Sequence, residues 1–233
     1  MTRCALPDDV HLCFTAEAAV FLDLRTNKYL GVDAEHVPAL HALISDREAE
    51  SKDVDALAEK LIAHRLLIRD THARGRRRPA AVPTARASLG DVDIESTSQS
   101  RPSIEAHYVW NLMASYATAN MLWRLFPLSY TIRRAQQRKI RLTRVVEDDN
   151  LSRARELIDI FERLRPFFYA ARSRCLVDTM TLVEFFARYS IPTEWVFGVR
   201  TRPFEAHAWA QYGAFVLNDH PARTSTYVPI LVV

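Results

Sequence analysis

Residues 202–219 read RPFEAHAWAQYGAFVLND, and this stretch decides the fold of the second half of the chain. Apolar and polar residues alternate on both sides of Gly213, which is typical of two antiparallel strands joined by a tight turn. If partners pair symmetrically about Gly213, His207 and Asp219 face each other with Cβ atoms about 5 Å apart. A carboxylate in that place holds a histidine ring in one tautomer and stabilises its protonated form. The pattern therefore predicts a general base with an orienting acid.

Cys175 is the candidate nucleophile, because it begins a helix predicted over residues 175–190. The unpaired N–H groups and the dipole of a helix N-terminus favour a thiolate. Arg172 and Arg174 lie just before it and act in the same direction. Each of the three residues also has a structural interpretation: Cys175 as a small buried side chain, His207 as an ordinary strand residue, and Asp219 as the opening of a turn.

The second half of the chain, residues 104–233, is predicted to place helices before a small antiparallel sheet, which is an α+β fold. The helices are predicted over 104–126, 128–142, 150–168 and 175–190, and the strands over 191–201, 205–211 and 214–219. The large apolar side chains of the first helix are expected in the core: Trp110, Met113, Met121 and Trp123. The second helix has a basic face, interpreted as solvated with a docking surface as the alternative: Arg133, Arg134, Arg138 and Arg141.

The first 70 residues form a different module, with 8 Lys/Arg, 13 Asp/Glu and a net charge of −5. Short strands are predicted over 11–14, 19–24 and 28–32, followed by helices over 34–44 and 54–67. Residues 71–103 are rich in Arg, Pro, Ser and Ala without periodicity, so they are predicted to be a flexible basic linker with room for one short ordered piece. The run RGRRR at 74–78 has a solvated linker as its first interpretation and binding of nucleic acid or an acidic surface as its second.

Composition narrows the function classes. The formal net charge of +3 is too small to indicate nucleic acid as a partner. Three cysteines do not make a disulfide framework, and no signal peptide is evident at the N-terminus, so a cytoplasmic location is expected. The uncharged stretch 108–123 is shorter than the roughly 18–20 residues of a membrane span, so no stable membrane insertion is expected. No His/Cys/Asp cluster has metal-ligand spacing, so no metal is expected. No cofactor is expected either, because the chemistry of a cysteine thiol does not need one.

The stretch from Arg174 to Asp219 resembles the leader peptidase of lasso-peptide biosynthesis, usually called the B protein, a transglutaminase-like cysteine protease. The resemblance rests on six motifs: Cys175-Leu176, Ile191-Pro192, Gly198-Val199-Arg200, Pro203-Phe204, Ala206-His207-Ala208-Trp209 and Leu217-Asn218-Asp219. It implies that Cys175, His207 and Asp219 are the catalytic triad. The chain departs from the family pattern at two places, with Val177-Asp178-Thr179 in place of the usual Pro-Arg-Ser and Ser190 in place of Gly.

The first module is similar to the small winged-helix-like domain, three strands followed by helices, that recognises precursor peptides in ribosomal peptide pathways. That resemblance implies that the leader peptide adds as a strand to the sheet edge at 28–32 and packs on the helix 54–67. The positions implied as substrate-binding are Tyr29, Leu30, Leu57 and Leu61. The two resemblances together predict a leader-recognition domain at 1–70, a linker at 71–103 and a peptidase domain at 104–233.

The predicted function is a cysteine protease that removes the leader of a lasso-peptide precursor. The implied partners are the precursor peptide and a separate ATP-dependent cyclase, which joins the freed α-amine to an acidic side chain. A transglutaminase-type acyl transferase uses the same triad and is the alternative among enzymes. A non-catalytic adaptor that only binds the precursor is the alternative outside enzymes.

Overall fold

The computed structural model describes residues 4–44, 52–69, 87–89, 103–143, 151–169 and 175–233. The α-helices are α1 Val37–Ile44, α2 Lys52–Ala63, α3 Ala106–Leu125, α4 Leu128–Thr143, α5 Leu151–Leu164, α6 Cys175–Arg188 and α7 Pro221–Thr224. The strands are β1 Cys4–Ala5, β2 Val10–Phe14, β3 Ala18–Asp23, β4 Lys28–Asp33, β5 Ile68–Arg69, β6 Ala87–Ser88, β7 Glu194–Thr201, β8 Phe204–Tyr212, β9 Phe215–Val216 and β10 Val228–Val232. The RGRRR run and most of the predicted linker lie outside the described residues.

The N-terminal sheet has the strand order β2-β3-β4, with antiparallel pairing throughout. Its two faces are buried against different partners, because side chains alternate along each strand. Ala19 and Phe21 of β3 lie in a core with α1 and α2. Val20 and Leu22, from the same strand, lie in the main core of the second half of the chain. The module predicted for residues 1–70 therefore packs directly against the rest of the protein.

Polar contacts accompany that packing. Arg202 forms an ion pair with Glu17 at 2.7 Å, and Arg133 forms one with Asp9 at 2.5 Å. Pairs this exposed contribute little stability in water. The interface consequently depends on its apolar side chains: Cys13, Val20, Leu22 and Leu24.

The second sheet has the order β10-β7-β8-β9-β6, antiparallel except for the parallel pair β6–β9. Helix α6 packs across β7 and β8, and it contacts α3 as well. Every residue of α6 from Val177 to Phe186 is buried. The predicted layout of helices followed by an antiparallel sheet is confirmed, with α6 at its centre.

The predicted pairing about Gly213 is wrong by one residue. Tyr212 pairs with Phe215 and Gln211 with Val216, so Gly213 and Ala214 form a two-residue turn. Gly213 has a φ of +57°, which suits the first central position of such a turn and disfavours other residues. The predicted strand over 214–219 is shortened to Phe215–Val216, and the chain leaves the sheet before it reaches Asp219.

The expectation that the large side chains of α3 lie in the core is also wrong. Their exposed fractions are 68% for Trp110, 41% for Met113, 47% for Met121 and 42% for Trp123. Helix α3 instead buries Tyr108, Leu112, Ser115, Ala119 and Leu122. Apolar or small residues occur on every side of α3, so the sequence pattern does not indicate which side of the helix faces the core. Within the described ranges, no helix is long and apolar enough to cross a membrane.

The basic face of α4 is partly an internal structural feature. Arg134 and Arg138 both form ion pairs with the carboxylate of Glu184, whose side chain is 7% exposed on α6. A buried carboxylate requires such partners, since an unpaired one would be costly to desolvate. For these two arginines, neither a purely solvated face nor a docking surface is the correct interpretation.

At Gly198 of β7, adding a single methyl group is expected to have a large effect on the stability of the protein. A Cβ there would stand 2.7 Å from the ring of Trp209 and 2.9 Å from Cβ of Tyr227. We expect Gly198→Ala to lower the free energy of unfolding by about 1–3 kcal/mol, the usual cost of overpacking. Urea denaturation measures the change. Gly31→Ala is the matched control, because nothing lies within 4 Å of its added Cβ, and an equal loss in both variants would contradict the prediction.

Candidate active site

Three elements bring Cys175, His207 and Asp219 together. Cys175 is the first residue of α6, and His207 lies in the middle of β8, where it pairs with Gly198 of β7. Asp219 follows β9 and precedes α7. Although the predicted hairpin register is wrong, the predicted proximity of His207 and Asp219 is present in the structure.

The His207 ring is held by a carboxylate on one side. Its Nε2 is hydrogen-bonded to Oδ2 of Asp219, and both side chains are largely buried, at 7% and 12% exposed. Burial alone would lower the pKa of His207, but the hydrogen bonds with Asp219 and Cys175 raise it to about 9. For Asp219, burial is outweighed by the hydrogen bonds from His207 and from the His220 N–H, so its pKa is lowered. The pair thus favours an imidazolium beside a carboxylate.

Cys175 is the second hydrogen-bonding partner of the His207 ring. Because Nε2 is occupied by Asp219, Nδ1 is the nitrogen left to face the thiol. The hydrogen bond with His207 lowers the pKa of Cys175, against the opposing effect of burial, and the N–H groups of Ala208 and Leu176 lower it further. Cys175 is exposed, whereas Cys4 and Cys13 are buried, and burial raises the pKa of Cys13 to about 12. Cys175 is therefore the cysteine suited to nucleophilic attack.

Aromatic rings enclose the His207 imidazole. Trp209 lies 6.0 Å away with nearly parallel planes, and Tyr227 lies 5.2 Å away, measured between ring centroids. Arg223 approaches Oδ2 of Asp219 at 3.8 Å from the solvent side, with its side chain 55% exposed. Together these groups restrict the movement of the ring while Cys175 remains accessible from solvent.

The four residues expected to bind substrate are separated by the fold. Tyr29 points toward the second half of the chain and contacts Phe204, with ring centroids 5.8 Å apart. Burial raises the pKa of Tyr29 to about 12, and the charge of Cys175 adds to that effect. Leu30 is 36% exposed on β4, whereas Leu57 and Leu61 are 8% and 3% exposed in the core with α1. Only Tyr29 and Leu30 remain suitable for contact with a peptide.

Sequence reasoning did not assign a role to Asn218, which anchors the segment beside Asp219. Its side chain bonds to Asp178 and Thr179 of α6 and to the N–H of Ala210 in β8. The available signal was Asp178, a charged residue directly after Val177 in a helix that is otherwise rich in apolar residues. In the described ranges, no three His, Cys, Asp or Glu side chains are grouped so that they could hold a metal ion.

With this geometry in view, comparison with known proteins gives one result. Residues 113–232 match the Transglutaminase-like superfamily, a class that includes cysteine proteases and acyltransferases. No curated protein and no solved structure shows significant similarity to the chain. The match covers Cys175, His207 and Asp219 and more than half of the sequence, so this chain belongs to the transglutaminase-like superfamily.

Proposed function

We propose that this protein is a cytoplasmic cysteine peptidase that removes the leader of a lasso-peptide precursor, and that its catalytic residues are Cys175, His207 and Asp219. The contact of these three side chains within a transglutaminase-like domain is the observation that carries the proposal. The six sequence motifs described above support the lasso-peptide assignment. The N-terminal module is proposed to recognise the leader.

The reaction follows from the arrangement of charges. The Cys175 thiolate attacks the carbonyl carbon at the leader–core junction, and the N–H groups at the start of α6 stabilise the oxyanion. His207 donates its proton to the leaving amine, so the C–N bond breaks and the core departs with a free α-amine. The leader remains as a thioester on Cys175 until water, deprotonated by His207, releases its carboxylate. Asp219 keeps the His207 ring oriented through both steps.

The free edge of β4 supports the proposed route of the leader. Among the described residues, β4 pairs only with β3, and its outer positions are mostly exposed. Tyr29 lies at the beginning of β4 and near Cys175. The cleaved bond is at the C-terminal end of the leader, so the leader must run from Asp33 toward Lys28 to deliver that bond. This direction is antiparallel to β4 and satisfies the leader's backbone groups by strand addition.

The direct test uses the precursor peptide with and without the partner ATP-dependent cyclase, followed by mass spectrometry. The proposal expects release of a leader fragment by the wild-type protein and intact precursor with Cys175→Ala. Ammonia release from glutamine peptides without leader cleavage would favour the acyl transferase instead. Leader binding without either reaction, equal in wild type and Cys175→Ala, would favour the adaptor.

Leader binding at the β4 edge gives a separate prediction. We expect Leu30→Asp to weaken binding of a labelled leader peptide at least about tenfold, because a charge replaces an apolar contact on the added strand. Fluorescence anisotropy in the Cys175→Ala background measures binding without cleavage. Ile68→Asp is the matched control, since Ile68 is 49% exposed in the same module but lies on β5. Equal weakening in both variants would argue against the β4 edge.

A further inference from the structure

A group of three polar side chains, two buried and one half-buried, connects the elements of the candidate active site. It consists of Asp178 and Thr179 in α6 and Asn218 after β9, and we call it the Asp178 cluster. Asp178 and Thr179 follow Cys175 by three and four residues on the same helix, and Asn218 directly precedes Asp219. The cluster is therefore one helical turn from the nucleophile and one residue from the carboxylate.

Asn218 uses both ends of its amide. Its Nδ2 donates to Oδ2 of Asp178 at 3.1 Å and to Oγ1 of Thr179 at 3.0 Å. Its Oδ1 accepts from the N–H of Ala210 at 2.9 Å. Regular pairing continues only to Leu217, whose N–H donates to the carbonyl oxygen of Ala210 at 3.0 Å. The Asn218 side chain thus bonds to β8 at the point where the backbone departs from it.

This departure decides which residue faces His207. If the pairing of β8 with β9 continued in register, His207 would lie opposite His220, because Gln211 pairs with Val216. The turn at Asn218 instead brings the Asp219 carboxylate to Nε2 of His207. The Oδ1 of Asp219 also accepts from the N–H of His220 at 2.7 Å, which fixes the orientation of the carboxylate.

Thr179 joins the other two elements. Its hydroxyl lies 2.8 Å from the carbonyl oxygen of Cys175 and 3.0 Å from that of Ala208, and it can donate to one of them at a time. The same hydroxyl accepts a hydrogen bond from Asn218. It therefore links Asn218 with Ala208, the residue after His207, and with Cys175, the first residue of α6. The cluster thus bonds to the backbone of Cys175 and of Ala208, which follows His207, and it includes Asn218, which precedes Asp219.

Asp178 fixes Asn218 by a buried negative charge. The residue is 4% exposed, and its carboxylate accepts from the Tyr169 hydroxyl at 2.9 Å. Arg165 forms an ion pair with it at 3.4 Å. A buried carboxylate with three donors is a strong acceptor and holds the Asn218 amide in a single orientation.

We propose that Asn218 is a positioning residue that keeps Asp219, and through it His207, in register with Cys175, and that Asp178 holds Asn218 in that place. The inference rests on the proposed peptidase function, which supplies the reaction. Neither residue touches substrate in this scheme. Both act on the geometry of the His207–Asp219 pair.

The first experiment compares Asn218→Ala with wild type in two assays. Leader cleavage should lose about 10–100-fold in kcat with little change in KM, as expected when reacting groups are displaced but substrate contacts remain. Alkylation of Cys175 by iodoacetamide should require higher pH, approaching the ordinary thiol value of about 8.5. Asn111→Ala is the matched control, since it removes an amide that donates to the Tyr189 hydroxyl at 2.9 Å on α3.

The second experiment exchanges the two side chains. Asn218→Asp alone places two carboxylates in contact and should reduce kcat as Asn218→Ala does. Adding Asp178→Asn restores a donor–acceptor pair, because the new amide at position 178 donates to the new carboxylate at position 218. We expect the double variant to exceed Asn218→Asp by about tenfold in kcat, one hydrogen bond to a charged group being sufficient for this.

The outcomes separate this inference from the peptidase proposal. If the wild-type protein does not cleave the leader and its Cys175 is alkylated with an ordinary pH dependence, the proposed function itself is wrong. A wild-type protein that cleaves, with Asn218→Ala equal to Asn111→Ala in both assays, would overturn the positioning role alone. A double variant that folds but is no better than Asn218→Asp would overturn it as well. Failure of every Asn218 variant to fold would show a requirement for folding and would also overturn it.

Discussion

Replacement of His207 by glutamine is expected to reduce leader cleavage about 10²–10⁴-fold, the range that general acid–base catalysis contributes. The same change removes the hydrogen bond that lowers the pKa of Cys175. The pH at which iodoacetamide alkylates Cys175 should therefore rise toward the ordinary thiol value of about 8.5. Since Cys4 and Cys13 are buried, mass spectrometry after brief alkylation reports on Cys175.

The wild-type pH dependence follows from the signs of the two shifts. The pKa of Cys175 is lowered, so the thiolate forms below its ordinary range, and the pKa of His207 is raised to about 9, so the imidazolium persists up to that pH. Cleavage should rise as Cys175 ionises and fall as the pH passes about 9, because neutral His207 can no longer donate to the leaving amine.

His107→Gln is the matched control for His207→Gln. His107 also lies beside a carboxylate, Glu105 at 3.2 Å, but it is 47% exposed on α3. We expect no change in cleavage or in Cys175 alkylation. A His207→Gln protein with unchanged alkylation and cleavage would exclude the Cys175–His207 pair as the reactive centre.

Removal of the N-terminal module is expected to prevent the remaining fragment, residues 87–233, from folding. Val20, Leu22 and Leu24 of the module are at most 3% exposed in the main core. Burial of each such side chain contributes about 1.5–3 kcal/mol. Three of them are comparable with the whole stability of a typical domain, about 5–15 kcal/mol.

Circular dichroism and size-exclusion chromatography of fragment 87–233 test this expectation. Co-expression with residues 1–70 should restore a folded complex, because the interface is apolar and does not need the intervening chain. If the fragment alone unfolds cooperatively at the wild-type denaturant midpoint, the two parts are independent domains and the prediction is wrong.

Local patterns predicted most of the fold. Alternation and turn residues gave the three N-terminal strands, and helix α6 begins at Cys175 as its sequence indicates. The proximity of His207 and Asp219 was predicted, but from the wrong register. Register depends on how many residues form the turn, and Gly213 suits a turn of two residues as well as a symmetric one.

The remaining differences arise from contacts between distant residues. The hydrogen bond between Asn218 and Asp178 could not be predicted from the sequence, because only the packing of α6 on β8 brings the two residues together. The resemblance implied that Leu57 and Leu61 bind the leader, yet α1 and the sheet cover them. For β3 a signal existed: the unbroken apolar run Ala19 to Leu22 is typical of a strand buried on both faces.

The two-sided burial of β3 limits how the N-terminal module could be exchanged by design or in evolution. Its even-numbered positions, Val20 and Leu22, pack in the core of the transglutaminase-like half, and its odd-numbered positions, Ala19 and Phe21, pack against the helices of the module. A chimaera that imports another N-terminal module, in order to exchange the proposed leader-binding edge of β4, must therefore retain the even positions of the host. Neighbouring residues of one strand thus evolve under separate constraints, one set by the helices of the N-terminal module and one by the transglutaminase-like half of the chain.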